Sequence, residues 1–169
     1  MKKAVIVFLC VLFVFSFCAC KGENQKWSHS VDVAYFAEMG KIPEIELKIG
    51  DAVPDNEALE KDGFAIFADE SPAYISNGAL NLYFDTEKNV ITKIAGFDSF
   101  LGFEVGAISI EVTSALDEQN IKYTEREAKD GELFFLPSAP NRSIVECKGL
   151  KHSLIFVFEN NALCAALLG

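Results

Sequence analysis

SLIFVFENNALCAALL, residues 153–168, is the stretch that decides the fold of this chain. It holds two runs of aliphatic and aromatic residues, 153–159 and 162–168, separated by Asn160 and Asn161. Asparagine tolerates the left-handed backbone of a two-residue hairpin turn, so the pattern predicts two adjacent strands. A parallel crossover needs a dozen residues or more, and the strands must therefore be antiparallel.

The same kind of pattern recurs along the chain. Short runs of strand-favouring residues are bounded by turn residues such as Asn77-Gly78 and Asp130-Gly131. The 15 phenylalanines supply a core suited to sheet packing. We therefore predict an α+β fold dominated by antiparallel sheet. The further predicted strands are 64–68, 73–76, 79–85, 90–95, 121–126, 132–136 and 143–148.

An internal repeat is the most informative feature of the sequence. An alternating run, 45–49, precedes Gly50, and a similar run, 103–105, precedes Gly106. A polar spacer ending in leucine follows each glycine, and the next apolar run begins five residues after that leucine in both copies. Each copy thus predicts a strand, a glycine turn, a short helix and further strands.

The helices have recognisable ends. The first is predicted to open near Pro54-Asp55 and to stop at Asp62-Gly63. In the second, Ser109 is the expected N-cap and Glu111 suits the positive end of the helix dipole. The residues that then follow helical spacing on one face are Val112, Ala115, Leu116 and Gln119.

This arrangement resembles the tandem repeat of β-lactamase-inhibitor proteins and, as a single unit, the small lipoproteins of outer-membrane assembly. The resemblance implies two tandem helix-plus-sheet units, 31–102 and 103–169, and a protein-binding role as an adaptor or inhibitor. Both copies lack the proline usual after the helix, and the spacer lacks the usual threonine after a Gly-Met pair, so inhibition is assigned to no residue. The matching positions are Gly50, Leu59, Gly106, Glu111, Val112 and Leu116.

The first residues have the features of an export signal. Lys2 and Lys3 precede an apolar or small run over 4–19, which is shorter than a typical membrane-spanning helix. Its end, Phe17-Cys18-Ala19-Cys20, resembles the lipobox of bacterial lipoproteins. We therefore predict a lipoprotein signal peptide over 1–19 and a lipid on Cys20 that anchors the protein to the membrane. The alternative is an ordinary signal peptide cut near Cys18 or Ala19, which would leave the Cys20 thiol free.

We expect residues 20–30 to form a polar tether that holds the protein at the outer side of a bacterial membrane or at the envelope surface. The net charge of −10 disfavours nucleic acid and anionic lipid as partners. Removal of the signal would make the chain more acidic, because it takes away two lysines and no acid. The acidity is compatible with a protein partner in the envelope or simply with solubility.

Cys147 and Cys164 would remain after processing, and an even pair in an exported protein invites a disulfide. They fall on the first and third of three predicted consecutive strands, which are about 9–10 Å apart, whereas a disulfide needs Cα atoms within about 7 Å. We therefore predict two reduced, buried cysteines.

No catalytic or cofactor motif is recognisable. His29 and His152 are the two histidines, and they belong to no cluster with the spacing of a zinc site. Cys147 and His152 could form a nucleophile–base pair, but no orienting acid or oxyanion loop follows. Asn141-Arg142-Ser143 fits a glycosylation pattern that has little meaning in a bacterial lipoprotein. We expect no enzyme activity, no metal and no cofactor.

The candidate binding residues are Phe97, Phe100, Leu101 and Phe103, which lie between the two copies. They either pack in the seam between the halves or form an exposed apolar patch that binds a protein. The sequence thus predicts a lipid-anchored protein-binding module. The alternative is a ligand-capturing lipoprotein, which would show a concave apolar cavity.

Overall fold

A computed structural model describes residues 29–129 and 131–169 of the chain. The predicted signal peptide, Cys20 and most of the tether lie outside the described residues. The described part is a mixed α+β structure, in which three short helices and a two-stranded hairpin accompany one eight-stranded antiparallel sheet.

The helices are α1 Val33–Met39, α2 Asn56–Lys61 and α3 Ser109–Glu118. The strands are β1 Ala65–Phe67, β2 Tyr74–Ser76, β3 Leu80–Asp85, β4 Val90–Gly96, β5 Ser99–Phe100, β6 Phe103–Glu104, β7 Lys122–Glu127, β8 Arg142–Lys148, β9 Leu154–Glu159 and β10 Ala162–Leu168.

The large sheet has the strand order β1-β2-β3-β4-β10-β9-β8-β7. The four strands that follow α2 therefore form one half, and the four that follow α3 form the other half. The halves meet where β4 pairs with β10, with Gly96 opposite Ala166. The free edges are β1 and β7, and the small β5–β6 hairpin connects the halves.

Local sequence explains α2. The carboxylate of Asp55 accepts a hydrogen bond from the backbone N–H of Ala58 at 2.9 Å, as an N-cap does. The helix ends at Lys61, and Phe64 N–H donates back to Leu59 C=O at 2.8 Å. The predicted helix is confirmed.

The start of α3 differs by one residue from the prediction. Ile108 occupies the N-cap position, and Glu111 accepts a hydrogen bond from its backbone N–H at 3.1 Å. Ser109, the expected N-cap, is the first helical residue, and its hydroxyl bonds the Asn161 side chain at 2.6 Å. Glu111 therefore stabilises the helix start in the way expected of an acid in the first turn.

The strand predicted over 45–49 is wrong. The segment forms only an isolated bridge between Lys41 and Lys48, and Ile49 N–H donates to Gly40 C=O at 2.8 Å. Ile45, Leu47 and Ile49 are half-buried against the core. Alternation therefore identified the packed side chains, but among the residues that the structure describes no strand forms a ladder with this segment.

The strand predicted over 132–136 is also wrong. Glu132 N–H donates to Lys129 C=O at 3.1 Å, and Leu136 N–H donates to Leu133 C=O at 2.9 Å, so the chain forms consecutive turns. A short apolar run cannot be assigned to a strand by periodicity alone. Here it belongs to a loop, residues 128–141, that lies over the sheet.

The two faces of the sheet have separate cores. The helix face carries the larger core, to which all three helices contribute, with Phe156 and Phe158 of β9 among its fully buried side chains. The second face carries a smaller cluster, which the 128–141 loop covers in part. Its buried members are Tyr83, Ala95, Phe135, Ile144, Ile155, Val157 and Ala165.

Cys147 is buried on the helix face, and Cys164 is half-buried on the second face. Both are free thiols, which confirms the prediction that they do not pair. Burial raises the pKa of Cys147 to about 12 and also raises that of Cys164.

These pKa shifts predict slow alkylation, because the thiolate is the reactive form. At pH 8 we expect iodoacetamide to modify Cys147 at least about tenfold more slowly than Cys164, which is less buried. Peptide mapping by mass spectrometry before and after unfolding in urea measures both rates. Equal rates in the native protein, or a Cys147–Cys164 disulfide, would contradict this expectation.

Candidate functional site

Three of the four candidate binding residues from the sequence lie in the core. Phe100 is 2% exposed, Leu101 is fully buried, and Phe103 is buried with its ring 5.2 Å from that of Phe156 in an edge-to-face contact. For these three residues the interpretation as an exposed patch is wrong. Their burial agrees with the alternative that they pack between the two halves.

Gly96 explains the position of Phe100. A Cβ atom added to Gly96 would overlap the Phe100 ring and would lie 3.1 Å from the Phe100 Cβ. Because Gly96 pairs with Ala166 at the junction of β4 and β10, the Phe100 side chain lies directly over that junction. The Phe100 ring therefore occupies the space that a side chain at position 96 of β4 would need.

Phe97, the fourth candidate, lies on the opposite side of the sheet. It is half-buried against the second-face cluster, and its ring centroid is 6.3 Å from that of Phe135. It therefore belongs to a surface that the sequence did not single out.

That surface is a row of aromatic side chains on the second face, hereafter the aromatic row. It begins at the β1 edge, where Phe67 stacks on Tyr74 with centroids 4.7 Å apart. Tyr83 of β3 is 5.7 Å further on, and Phe134 of the 128–141 loop lies 5.1 Å from Tyr83. The row continues through Phe135 to Phe97.

Two members of the aromatic row are well exposed. Phe67 is 39% and Phe134 is 41% accessible, although both are large apolar side chains. The Lys93 ammonium lies 4.9 Å from the centre of the Phe134 ring, so a positive charge sits beside the row. Tyr83 is buried, and its pKa is raised by desolvation. The row can therefore offer apolar area to a partner.

Ion pairs hold the loop that contributes Phe134. Arg126 of β7 donates hydrogen bonds to both carboxylate oxygens of Glu132 and also bonds Glu146 of β8 at 3.2 Å. The hydrogen bonds from Arg126 lower the pKa of Glu132 to about 2, so this carboxylate is charged at neutral pH. Bidentate pairs of this type fix geometry, and the loop is therefore held over the sheet.

His29, the first residue that the structure describes, lies on the helix face of the sheet. His29 stacks on Phe103 with centroids 4.0 Å apart, and its Nε2 lies 2.8 Å from the Leu101 carbonyl oxygen. Burial lowers the pKa of His29. His29, one residue before the predicted end of the tether, is therefore packed against the folded part.

No family model, curated protein or solved structure matches this chain.

Other candidate chemistry is sparse. Within residues 29–129 and 131–169, no group of three or more histidine, cysteine or acidic side chains is arranged to hold a metal ion. Over the same residues, no helix has the length and apolar character to cross a bilayer. A groove of 690 Å³ lies between β6 and the start of α3, and its lining includes His29, Phe103 and Glu111.

Proposed function

We propose that this chain is a lipid-anchored, extracytoplasmic protein-binding module whose binding surface is the aromatic row. The exposure of Phe67 and Phe134 within one continuous row is the observation that carries the proposal. Aromatic side chains are enriched in protein interfaces, and grouped exposed apolar residues mark binding surfaces more reliably than scattered ones.

The rigidity of the aromatic row supports the same role. Phe67 and Tyr74 belong to paired strands, and Phe134 is held by the loop that Arg126 anchors. Preformed aromatic anchors lose little conformational freedom when a partner binds, so more of the contact energy contributes to affinity.

The proposed organisation is two tandem units, 31–102 and 103–169, that follow a signal peptide over 1–19 and a tether from Cys20. The strand order supports this division, because a helix precedes four sequentially paired strands in each half and the last strands of the halves pair with each other. The resemblance to inhibitor repeats rests on the same division.

Crosslinking in the bacterial envelope tests the binding surface. A photoreactive phenylalanine analogue would replace Phe67 or Phe134 in one pair of variants. In a control pair it would replace Tyr35 or Ile110, which are 56% and 62% exposed on other parts of the surface. We expect a discrete protein adduct from the row positions and none from the controls. Adducts of equal yield at all four positions, or none at the row, would refute the proposal.

The 690 Å³ groove favours a second candidate, the capture of a small ligand. Under that function, substitution of Glu111 within the groove would abolish binding and substitution of Phe134 would not. Native mass spectrometry of the protein released from membranes would then show a bound small molecule.

A further inference from the structure

We infer that the partner binds by adding an extended, basic segment as a ninth strand beside β1. This inference rests on the proposed protein-binding function and names the manner of binding and the chemistry of the partner. Three features of the β1 edge carry it: the direction of its backbone groups, its lack of protective charge, and the acids that flank it.

The hydrogen-bond alternation fixes which backbone groups of β1 point outward. Phe84 N–H donates to Ala73 C=O at 3.1 Å, so the pair Ala73–Phe84 is hydrogen-bonded and the next pair, Tyr74–Tyr83, is not. Because bonded and non-bonded pairs alternate, Tyr74 directs its backbone groups away from β3 and toward β1.

The same alternation applies to the next pair of strands. Tyr74 pairs with Phe67 and Ser76 pairs with Ala65, and these pairs carry the bonds between β1 and β2. Ile66, which lies opposite Ile75, therefore points its N–H and C=O to the free edge. Within the described part of the chain, no loop backbone bonds Ile66.

The two edges of the sheet differ in protection. β7, with the sequence KYTERE, carries several charged side chains, including Glu125 and Arg126, which disfavour pairing with another strand. β1, with the sequence AIF, carries none, and Ile66 and Phe67 are 43% and 39% exposed. An uncharged, exposed edge is a template for strand addition. A strand added here would also extend the aromatic row beyond Phe67.

The acidic residues on both sides of β1 indicate the charge of the partner segment that would pair with it. The surrounding segment, 57–70, holds five acids and only Lys61 as a base, and no ion pair involves any of the acids within the described residues. A second copy of the chain would bring two such segments together, which like-charge repulsion opposes. A basic segment is complementary. The acids are Glu57, Glu60, Asp62, Asp69 and Glu70.

A matched pair of substitutions at one position tests the added strand. The chain from Lys21 onward, which contains every described residue, is used to select binders from a random-peptide display library. Ile66→Pro removes the outward N–H but leaves the bonds between β1 and β2, and proline is tolerated on such an edge. Ile66→Ala removes the side chain and keeps the N–H.

We expect the selected peptides to combine alternating apolar residues with lysine or arginine at their ends. Ile66→Pro should weaken their binding at least about tenfold, and Ile66→Ala less than about threefold, in fluorescence anisotropy. Exchange of the terminal bases for glutamate should also weaken binding. If Ile66→Pro unfolds the protein, the peptide is altered instead: N-methylation of its backbone at alternate residues removes the N–H groups that would bond β1 and should also weaken binding.

Three outcomes would overturn the inference: no peptide is selected, the peptides bind Ile66→Pro as well as the unaltered chain, or the chain dimerises through β1. The proposed function is tested separately. If crosslinking at Phe67 and Phe134 succeeds while Ile66→Pro binds normally, strand addition is wrong and the aromatic row remains the binding surface. If crosslinking fails, the proposed function itself is wrong.

Discussion

Replacing Phe100 with alanine is expected to lower the free energy of unfolding by about 3–5 kcal/mol. The ring is 2% exposed and lies over Gly96 at the junction of β4 and β10. Its removal would leave a cavity beside the central strand pair, where neither β-strand can move without breaking ladder bonds. Urea denaturation followed by circular dichroism measures the change, and Phe100→Leu provides a smaller truncation if the alanine variant is unfolded.

The contact between Gly96 and Phe100 allows a more specific test of the same packing. Gly96→Ala should cost about 1–3 kcal/mol in the unaltered chain, because the new methyl overlaps the Phe100 ring. In the Phe100→Ala background the methyl has room, so the double variant should be more stable than the sum of the single losses implies. If the losses in free energy of unfolding of the two single variants simply add, the methyl group at position 96 and the Phe100 ring do not compete for the same space. Ile110→Ala, at an exposed position, is the control and should change stability by less than about 0.5 kcal/mol.

Replacing Cys20 with serine is expected to release the protein from the membrane. Each buried methylene contributes about 0.8 kcal/mol, and two acyl chains together give an anchor that the acidic domain itself cannot provide. Fractionation of cells that express the variant should move the protein from the membrane pellet to the soluble fraction or leave it as uncleaved precursor. Mass spectrometry should show a lipid on the unaltered N-terminal cysteine and none on the variant.

Cys18→Ser is the matched control for the anchor. Serine is also small, so it should preserve processing at Cys20 and keep the protein in the membrane fraction. Retention of a cleaved Cys20→Ser protein in the membrane, or a mature N-terminus at another residue of the unaltered chain, would disprove lipidation. The alternative of an ordinary signal peptide would then account for export.

The sequence predicted the sheet well because its strands are bounded by strong turn residues. Asn160 and Asn161 both adopt positive φ, as the hairpin prediction requires, and β9 and β10 occupy the expected positions. The α2 helix was predictable from Asp55, whose capping bond is local. These features depend on residues close together in the chain.

The sequence predictions are wrong where contacts between residues far apart in the chain determine the structure. The run 132–136 has strand composition, but it forms consecutive turns, and its Glu132 pairs with Arg126 of a different element, β7. The helix α1 was not predicted, although Asp32 at its start and Gly40 at its end are ordinary capping residues that could have indicated it. The packing of α1 depends in part on Gln119, which bonds Val33 N–H and Val31 C=O from far along the chain.

The candidate site illustrates the same limit. The sequence prediction grouped Phe97 with Phe100 and Phe103 because they are near one another in the chain. In the structure, Phe97 lies on the second face of the sheet, whereas Phe100 and Phe103 lie on the helix face. Phe67, Tyr74, Tyr83 and Phe134 come from three strands and a loop, and only the strand order brings them together. No local pattern in the sequence contains that information.

The stacking of His29 on Phe103 fixes the position of one end of the segment that would connect the folded part to Cys20. Phe103 belongs to the helix-face core, and His29 therefore lies on the side of the sheet opposite the aromatic row. With a lipid on Cys20, the nine residues to His29 reach about 30 Å at most. His29 would then lie within that distance of the bilayer, on the sheet face opposite the aromatic row.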